Sequence, residues 1–167
     1  TALIGTTATF LLAAFGLFQS LSLPRSFVEL VSAEHVGLAD EAALALAKRK
    51  ADVVLACRNP DKAQAAADRI RQQAPTARLE VMPLDLSDLS SVRAFADAFR
   101  ESHSQLNVLI NNAGVMALPR RSTADGFEMQ LGTNHLGHFA LTGLLLDTLL
   151  ATPGSRVVNV SSIAHKF

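Results

Sequence analysis

The sequence predicts an α/β fold: a doubly wound parallel sheet of the Rossmann type, truncated after its fifth strand, with an N-terminal apolar helix. Three observations predict it. From residue 26 onward short apolar runs alternate with amphipathic stretches, the order that builds a parallel sheet with helices on both faces. Val108-Leu109-Ile110 has the composition of a strand buried on both sides, and it stops abruptly in Asn111-Asn112-Ala113-Gly114. Crossovers between parallel strands are right-handed, which turns this alternation into a doubly wound layout.

The bulk numbers set the frame. A chain of 167 residues suits one domain. Fifteen basic and 15 acidic residues leave a net charge of zero, so no nucleic-acid footprint is expected. The single cysteine, Cys57, excludes an internal disulfide. With 49% hydrophobic residues the chain can bury a large core, yet it holds neither tryptophan nor tyrosine. It begins with Thr and ends shortly after an apolar run, which reads as a fragment of a longer product.

The elements follow in order. No charge precedes Arg25, and residues 2–23 are almost wholly apolar or small, about the length a helix needs to cross a bilayer. Residues 1–25 are therefore expected to be a membrane anchor, with a signal peptide or a buried helix as the rival. The basic residues Arg25, Lys48, Arg49 and Lys50 on its C-terminal side favour a cytosolic globular part, residues 26–167. Residues 27–31 are the first strand, interrupted by Glu29, and 40–50 an alanine-rich helix. Asp-Val-Val-Leu-Ala, 52–56, is a buried strand. Asn59, Pro60 and Asp61 read as N-cap, first-turn proline and first-turn acid of a helix to about Gln73, which Pro75 stops. Residues 78–84 make the third strand. Ser87 or Asp88 caps the next helix, with Val92, Phe95, Ala96 and Phe99 on one face. Asp125 and Glu128 have capping-box spacing and open a long helix to about Leu150. Residues 155–161 are the fifth strand, an apolar edge that invites pairing with another chain.

The chemistry gathers at strand ends. Small residues after a buried strand let backbone approach a flat ligand, and in an open α/β sheet ligands sit outside the carboxyl ends of the strands. Adjacent asparagines can tie that end to its neighbours by side-chain hydrogen bonds. The bland alternative is an Asn-Ala-Gly turn without function. After the first strand, Ser32-Ala33-Glu34-His35-Val36-Gly37-Leu38-Ala39 offers only Gly37 to a phosphate-binding turn. His135 and His138 are three apart, but no third ligand accompanies them, so no metal site is expected. Cys57 reads as a buried small apolar residue.

These motifs together resemble the short-chain dehydrogenase/reductase family, nearest its retinol-dehydrogenase-like branch. Asn111-Asn112-Ala113-Gly114 matches the family's strand-end motif in full. Thr133-Asn134-His135-Leu136-Gly137-His138-Phe139 matches the helix motif that follows it. Val158-Asn159-Val160-Ser161-Ser162 matches the strand that bears the catalytic serine. Val54-Leu55-Ala56-Cys57-Arg58-Asn59 and Asp85-Leu86 match two positions on the adenosine side. In the glycine turn Ser32 and Gly37 match, while Ala33 and Ala39 replace glycines. The resemblance covers residues 26–167.

The resemblance implies roles. Ser32, Gly37 and Leu38 would border the pyrophosphate, and Asp85 and Leu86 the adenine. Asn112, Ala113 and Gly114 would line the cofactor path. Asn134 would hold a water in the proton relay, and Ser162, in preference to Ser161, would hydrogen-bond the substrate oxygen. About 20 residues past the glycine turn an NAD site places an acid for the ribose 2′-hydroxyl. Cys57-Arg58 stands there instead, and a guanidinium suits a 2′-phosphate, so NADP(H) is expected over NAD(H). The alternative for Arg58 is a solvated loop charge.

The implied function is hydride transfer between nicotinamide and a lipophilic alcohol or carbonyl compound. The implied location is the endoplasmic-reticulum membrane, globular part toward the cytosol, with a homo-oligomer compatible. The family's acid/base is a tyrosine tuned by a lysine in Tyr-x-x-x-Lys, and this chain has no tyrosine. Glu34 near the pyrophosphate and Lys50 where the family turns on glycine are further departures. The chain alone is expected not to turn over, and the rival is a non-catalytic remnant or pseudoenzyme with weak or no nucleotide binding.

Overall fold

A computed structural model describes residues 28–33 and 38–161, with side chains from residue 41 onward. The expected anchor, Gly37 and Ser162 lie outside the described residues. So do residues 34–37 of the glycine turn.

Five parallel strands form one sheet: β1 (Val28–Ala33), β2 (Asp52–Cys57), β3 (Arg78–Pro83), β4 (Val108–Asn111) and β5 (Arg156–Asn159), in the order β3-β2-β1-β4-β5. The order reverses beside β1. The chain builds outward through β2 and β3, then crosses back to lay β4 on the other side of β1. Register follows the two-residue side-chain period. Val53, Leu55, Val108 and Ile110 pack on one face with Ala43, Leu46, Ala67 and Ile70. Val54, Ala56 and Leu109 pack on the other with Val92, Phe95, Phe99, Leu141 and Leu145. Two cores on two faces are what a doubly wound sheet requires.

Helix α1 (Leu38–Ala47) starts and ends ahead of its expected span. Its last turn closes with Lys50 N–H on the Ala47 carbonyl (2.9 Å) and Ala51 N–H on that of Leu46 (3.2 Å), the bonds of a Schellman motif. That motif needs a left-handed residue, and Lys50 takes φ 66° there. Helix α2 (Pro60–Gln73) begins as expected: Asn59 Oδ1 accepts from Lys62 N–H at 3.0 Å. Helix α3 (Leu89–Ser102) is capped by Asp88, whose Oδ1 accepts from Ser90 and Ser91 N–H at 2.8 and 3.4 Å.

The long final helix is not one regular helix. It runs as α4 (Met129–Leu131), a π-helical stretch (Gly132–Gly137), α5 (His138–Leu144) and α6 (Leu146–Ala151), breaking at Leu145. The capping box also fails. Glu128 is the N-cap, accepting from Gln130 N–H (3.0 Å) and Leu131 N–H (2.8 Å), while Asp125 Oδ2 reaches Leu89 N–H at 2.9 Å, the first residue of α3. The turn over residues 123–127, with Gly126 at φ 86° and Thr123 N–H on the Phe127 carbonyl, points Asp125 away from the helix it was expected to cap. Strand β5 is shorter than expected because its partner β4 offers only four residues to pair with. It is a sheet edge, with Val157 and Val160 exposed.

Among the described residues no helix is long and apolar enough to cross a membrane, and no three of His, Cys, Asp and Glu gather as a metal site requires.

Candidate functional site

Parallel register lines up the strand ends. Ala33 pairs with Cys57, Cys57 with Pro83, Ser32 with Asn111, and Asn111 with Asn159. Residues just beyond those pairs therefore share one edge of the sheet: Arg58 after β2, Asp85 and Leu86 after β3, Asn112 to Gly114 after β4, and Ser161 after β5. Between β1 and β4 the order reverses, and that reversal opens the crevice where open α/β sheets hold ligands.

The end of β4 is tied on both flanks. Asn111 is buried, and its Nδ2 donates to Asn159 Oδ1 at 2.7 Å and to Thr142 Oγ1 at 3.0 Å. One amide thus joins β4 to β5 and to α5. The asparagine was expected to bond its neighbours; Thr142 and Asn159 as partners were not identified, because they depend on the sheet order. Asn112 is half-buried, Ala113 buried and Gly114 exposed.

Asn134 sits in the π-helical stretch, beside Gly114. Its Oδ1 accepts from Val115 N–H at 2.7 Å and its Nδ2 donates to the Val115 carbonyl at 2.8 Å. Its own carbonyl lies 2.9 Å from His138 Nδ1. The wider π turn presents Asn134 toward the loop after β4, and π turns recur at functional sites. A Cβ built on Gly114 would meet only Asn134, Oδ1 at 3.7 Å and Cγ at 3.9 Å, which is ordinary contact. The fold itself does not require glycine there. The bare surface is free for a ligand, and in this respect the residues fit a dinucleotide.

Gly137 differs. A Cβ on it would lie 2.4 Å from the Leu86 carbonyl oxygen and 2.9 Å from Leu86 Cβ. Glycine lets the helix lie directly on the Leu86 backbone, so the helix carrying Asn134 and the loop after β3 are fixed together. A glycine inside a helical pattern, costly without a packing reason, was the sequence signal for this contact. Leu86 itself is buried in the core. Asp85 serves its own loop: Oδ1 accepts from Ser87 N–H (2.9 Å) and Oγ (2.6 Å).

The remaining predicted residues fall as follows. Ser32 ends β1 beside Asn111, and Leu38 opens α1. Arg58 is exposed at the crevice end of β2. Gly37 and Ser162 lie outside the described residues; Ser161 is exposed two residues past β5.

Electrostatics are mild. Burial pushes the His138 imidazole down, the Asn134 carbonyl opposing and His135 adding to the shift. The Cys57 thiol, at the end of β2, is raised by burial and points at the Asn59 carbonyl (3.4 Å), so it stays protonated at neutral pH.

Comparison with known proteins agrees with this geometry. The family described as short chain dehydrogenase matches residues 28–167. Retinol dehydrogenase 12 of Homo sapiens is 49% identical over 146 residues, 87% of this chain and 46% of that protein. The chain thus spans about half the length of the curated relatives it matches. Among solved structures, an uncharacterized protein from Mycobacterium Paratuberculosis is 48% identical with a TM-score of 0.70, covering 84% of this chain and 47% of the other. A metagenomic short-chain oxidoreductase in complex with NADP is 26% identical with a TM-score of 0.73, covering 84% and 64%. With the match running from the first strand through every element that borders the crevice, the chain belongs to the short chain dehydrogenase family, in its retinol-dehydrogenase-like branch.

Proposed function

We propose that this chain is the nucleotide-binding part of an NADP(H)-dependent oxidoreductase acting on a lipophilic alcohol or carbonyl compound. The observation that carries the reading is bare Gly114 beside Asn134, at the point where the strand order reverses. Bound there, the nicotinamide would supply the hydride acceptor or donor.

The chain's own residues hold and orient. Ser32, Gly37 and Leu38 border the pyrophosphate, and the backbone of Asn112, Ala113 and Gly114 lines the cofactor path. Asp85 and Leu86 border the adenine, and Arg58 takes the 2′-phosphate. Asn134 fixes the loop after β4 and belongs to the proton relay, and Ser162 donates to the substrate oxygen. The acid/base step needs a Tyr-x-x-x-Lys pair, and these 167 residues hold no tyrosine. By themselves they bind nucleotide without turning over. Residues 2–23 attach the protein to a membrane, with the globular part on the cytosolic face of the endoplasmic reticulum. The exposed β5 edge is suited to a homo-oligomer.

One observation favours a second reading, a remnant with weak or no nucleotide binding. Ala33, Ala39 and Lys50 stand where the family has glycines, and Lys50 does take the left-handed conformation. Fluorescence titration with NADPH separates the two. Saturable binding, tighter than that of NADH, is expected; no binding by a folded chain leaves the remnant.

A further inference from the structure

The loop leaving Gly114 is built, not slack. Asn134 holds Val115, Ala117 N–H donates to Gln130 Oε1 at 3.2 Å, and Met129 N–H donates to the Arg121 carbonyl at 3.0 Å. Ser122 and Glu128 form an antiparallel bridge, and Thr123 is buried beneath. On this platform four large apolar side chains face outward: Met116 is 69% exposed, Leu118 37%, Phe127 40% and Leu131 52%. Ala117 takes φ 55°, a left-handed conformation costly for a residue with a Cβ. The apolar display is therefore actively held.

Charge says what covers it. Arg120 and Arg121 follow Leu118 across Pro119 and are exposed. The two carboxylates in the segment face backbone: Asp125 accepts from Leu89 N–H, and Glu128 accepts from Gln130 and Leu131 N–H, with Arg120 nearby. Exposed apolar side chains with arginines beside them match a bilayer surface, where the apolar groups enter the headgroup boundary and the guanidiniums meet lipid phosphates.

We infer that residues 116–121 dock on the surface of an anionic lipid bilayer, Met116 and Leu118 inserting and Arg120 and Arg121 pairing with phosphate. The insertion rests on this segment alone. Only its use, which is to bring the crevice beside Gly114 within reach of a lipid-dissolved substrate, rests on the oxidoreductase reading.

The chain contains no tryptophan, so Met116→Trp gives a single local reporter. With vesicles of phosphatidylcholine and phosphatidylserine its emission is expected to shift to the blue and to be quenched by lipids brominated on the acyl chain. Gln73→Trp, at the opposite end of the sheet, is expected to do neither. Arg120→Gln with Arg121→Gln is expected to lower the phosphatidylserine-dependent part of the binding by roughly fivefold per arginine. Leu118→Trp serves if M116W fails to fold. Emission unmoved by vesicles overturns the proposal, as does equal quenching in Q73W. A shift that follows protein concentration and not lipid assigns the surface to a second copy, and overturns it too. NADPH titration of the same chains reads the nucleotide site separately: lost nucleotide binding with quenching intact removes the oxidoreductase reading and leaves the docking surface standing.

Discussion

Asn134 grips the backbone of Val115 with both ends of its amide, accepting from the N–H at 2.7 Å and donating to the carbonyl at 2.8 Å. An amide offers a donor and an acceptor side by side, where an ionised carboxylate can only accept. Asn134→Asp keeps the first bond and turns its second oxygen against the Val115 carbonyl. It is expected to cost about 1–2 kcal/mol by urea unfolding and to weaken NADPH binding, because Gly114 precedes the displaced residue. A variant equal to the parent in both measurements would show that the clip positions nothing.

Gly114 and Gly137 differ in what a side chain would meet. A methyl on Gly114 meets only an ordinary contact with Asn134, whereas on Gly137 it strikes the Leu86 backbone at 2.4 Å. Gly114→Ala is expected to unfold within about 0.5 kcal/mol of the parent yet to lose at least roughly tenfold in NADPH affinity. Gly137→Ala is expected to lose about 1–3 kcal/mol of stability. Thermal melts with and without NADPH check both. If Gly114→Ala bound as tightly as the parent, the cofactor path would lie elsewhere.

The contrast between these glycines shows how much was legible beforehand. The end of β4 at Asn111, the alternation and the caps at Asn59 and Asp88 are local in sequence, and the structure keeps them. What escaped is set by partners distant in the chain. Asp125 caps α3 through Leu89, 36 residues away, and no local spacing encodes that. Gly132–Gly137 holds a single large apolar residue, Leu136, too few to mark the π-helical stretch by a change of period. Asn111 was a visible candidate, but Thr142 and Asn159 become its partners only once β5 is laid beside β4.

Lys50 is a correctable strain. Its φ of 66° closes the Schellman motif after α1. The left-handed conformation costs a residue with a Cβ about 1–2 kcal/mol, and the extra freedom of unfolded glycine offsets roughly 0.5–1 kcal/mol of any gain. Lys50→Gly is therefore expected to stabilise by about 0.5–1 kcal/mol, raising the melting temperature by roughly 1–4 °C. A lower melting temperature would mean that the lysine side chain contributes more than the turn costs.

Acid should destabilise the chain in two windows. Burial depresses His138, so the folded state resists a proton that the unfolded state accepts below about pH 6.5. Its contribution is complete above that value and is lost as pH falls toward the depressed one. Asp88 is held low chiefly by the Ser90 hydroxyl, and Glu128 by the Gln130 and Leu131 N–H groups. Their contributions are present above about pH 4 and vanish as pH falls through the lowered values. Urea midpoints should be flat above about pH 7 and decline below it. His138→Asn should flatten the upper window only, and an unchanged slope there would remove His138 from the account.

Under the proposed function, cofactor choice is expected to turn on Arg58. Cys57 pairs with Ala33 on one side and Pro83 on the other, which puts the next residue at the crevice end of β2, where the adenosine ribose of a dinucleotide is held. A planar guanidinium can meet a 2′-phosphate with two hydrogen bonds, and a ribose hydroxyl gains nothing comparable from it. Arg58→Ala is expected to weaken NADPH binding by roughly tenfold and to leave NADH binding nearly unchanged. Arg58→Asp adds an acceptor for the 2′-hydroxyl and a charge that repels the phosphate, so it should reverse the preference. Added salt should weaken NADPH more than NADH in the parent and should not distinguish them in Arg58→Ala. Were both nucleotides to lose affinity equally in Arg58→Ala, the arginine would be supporting the loop, and the preference for NADP(H) would lose its physical basis.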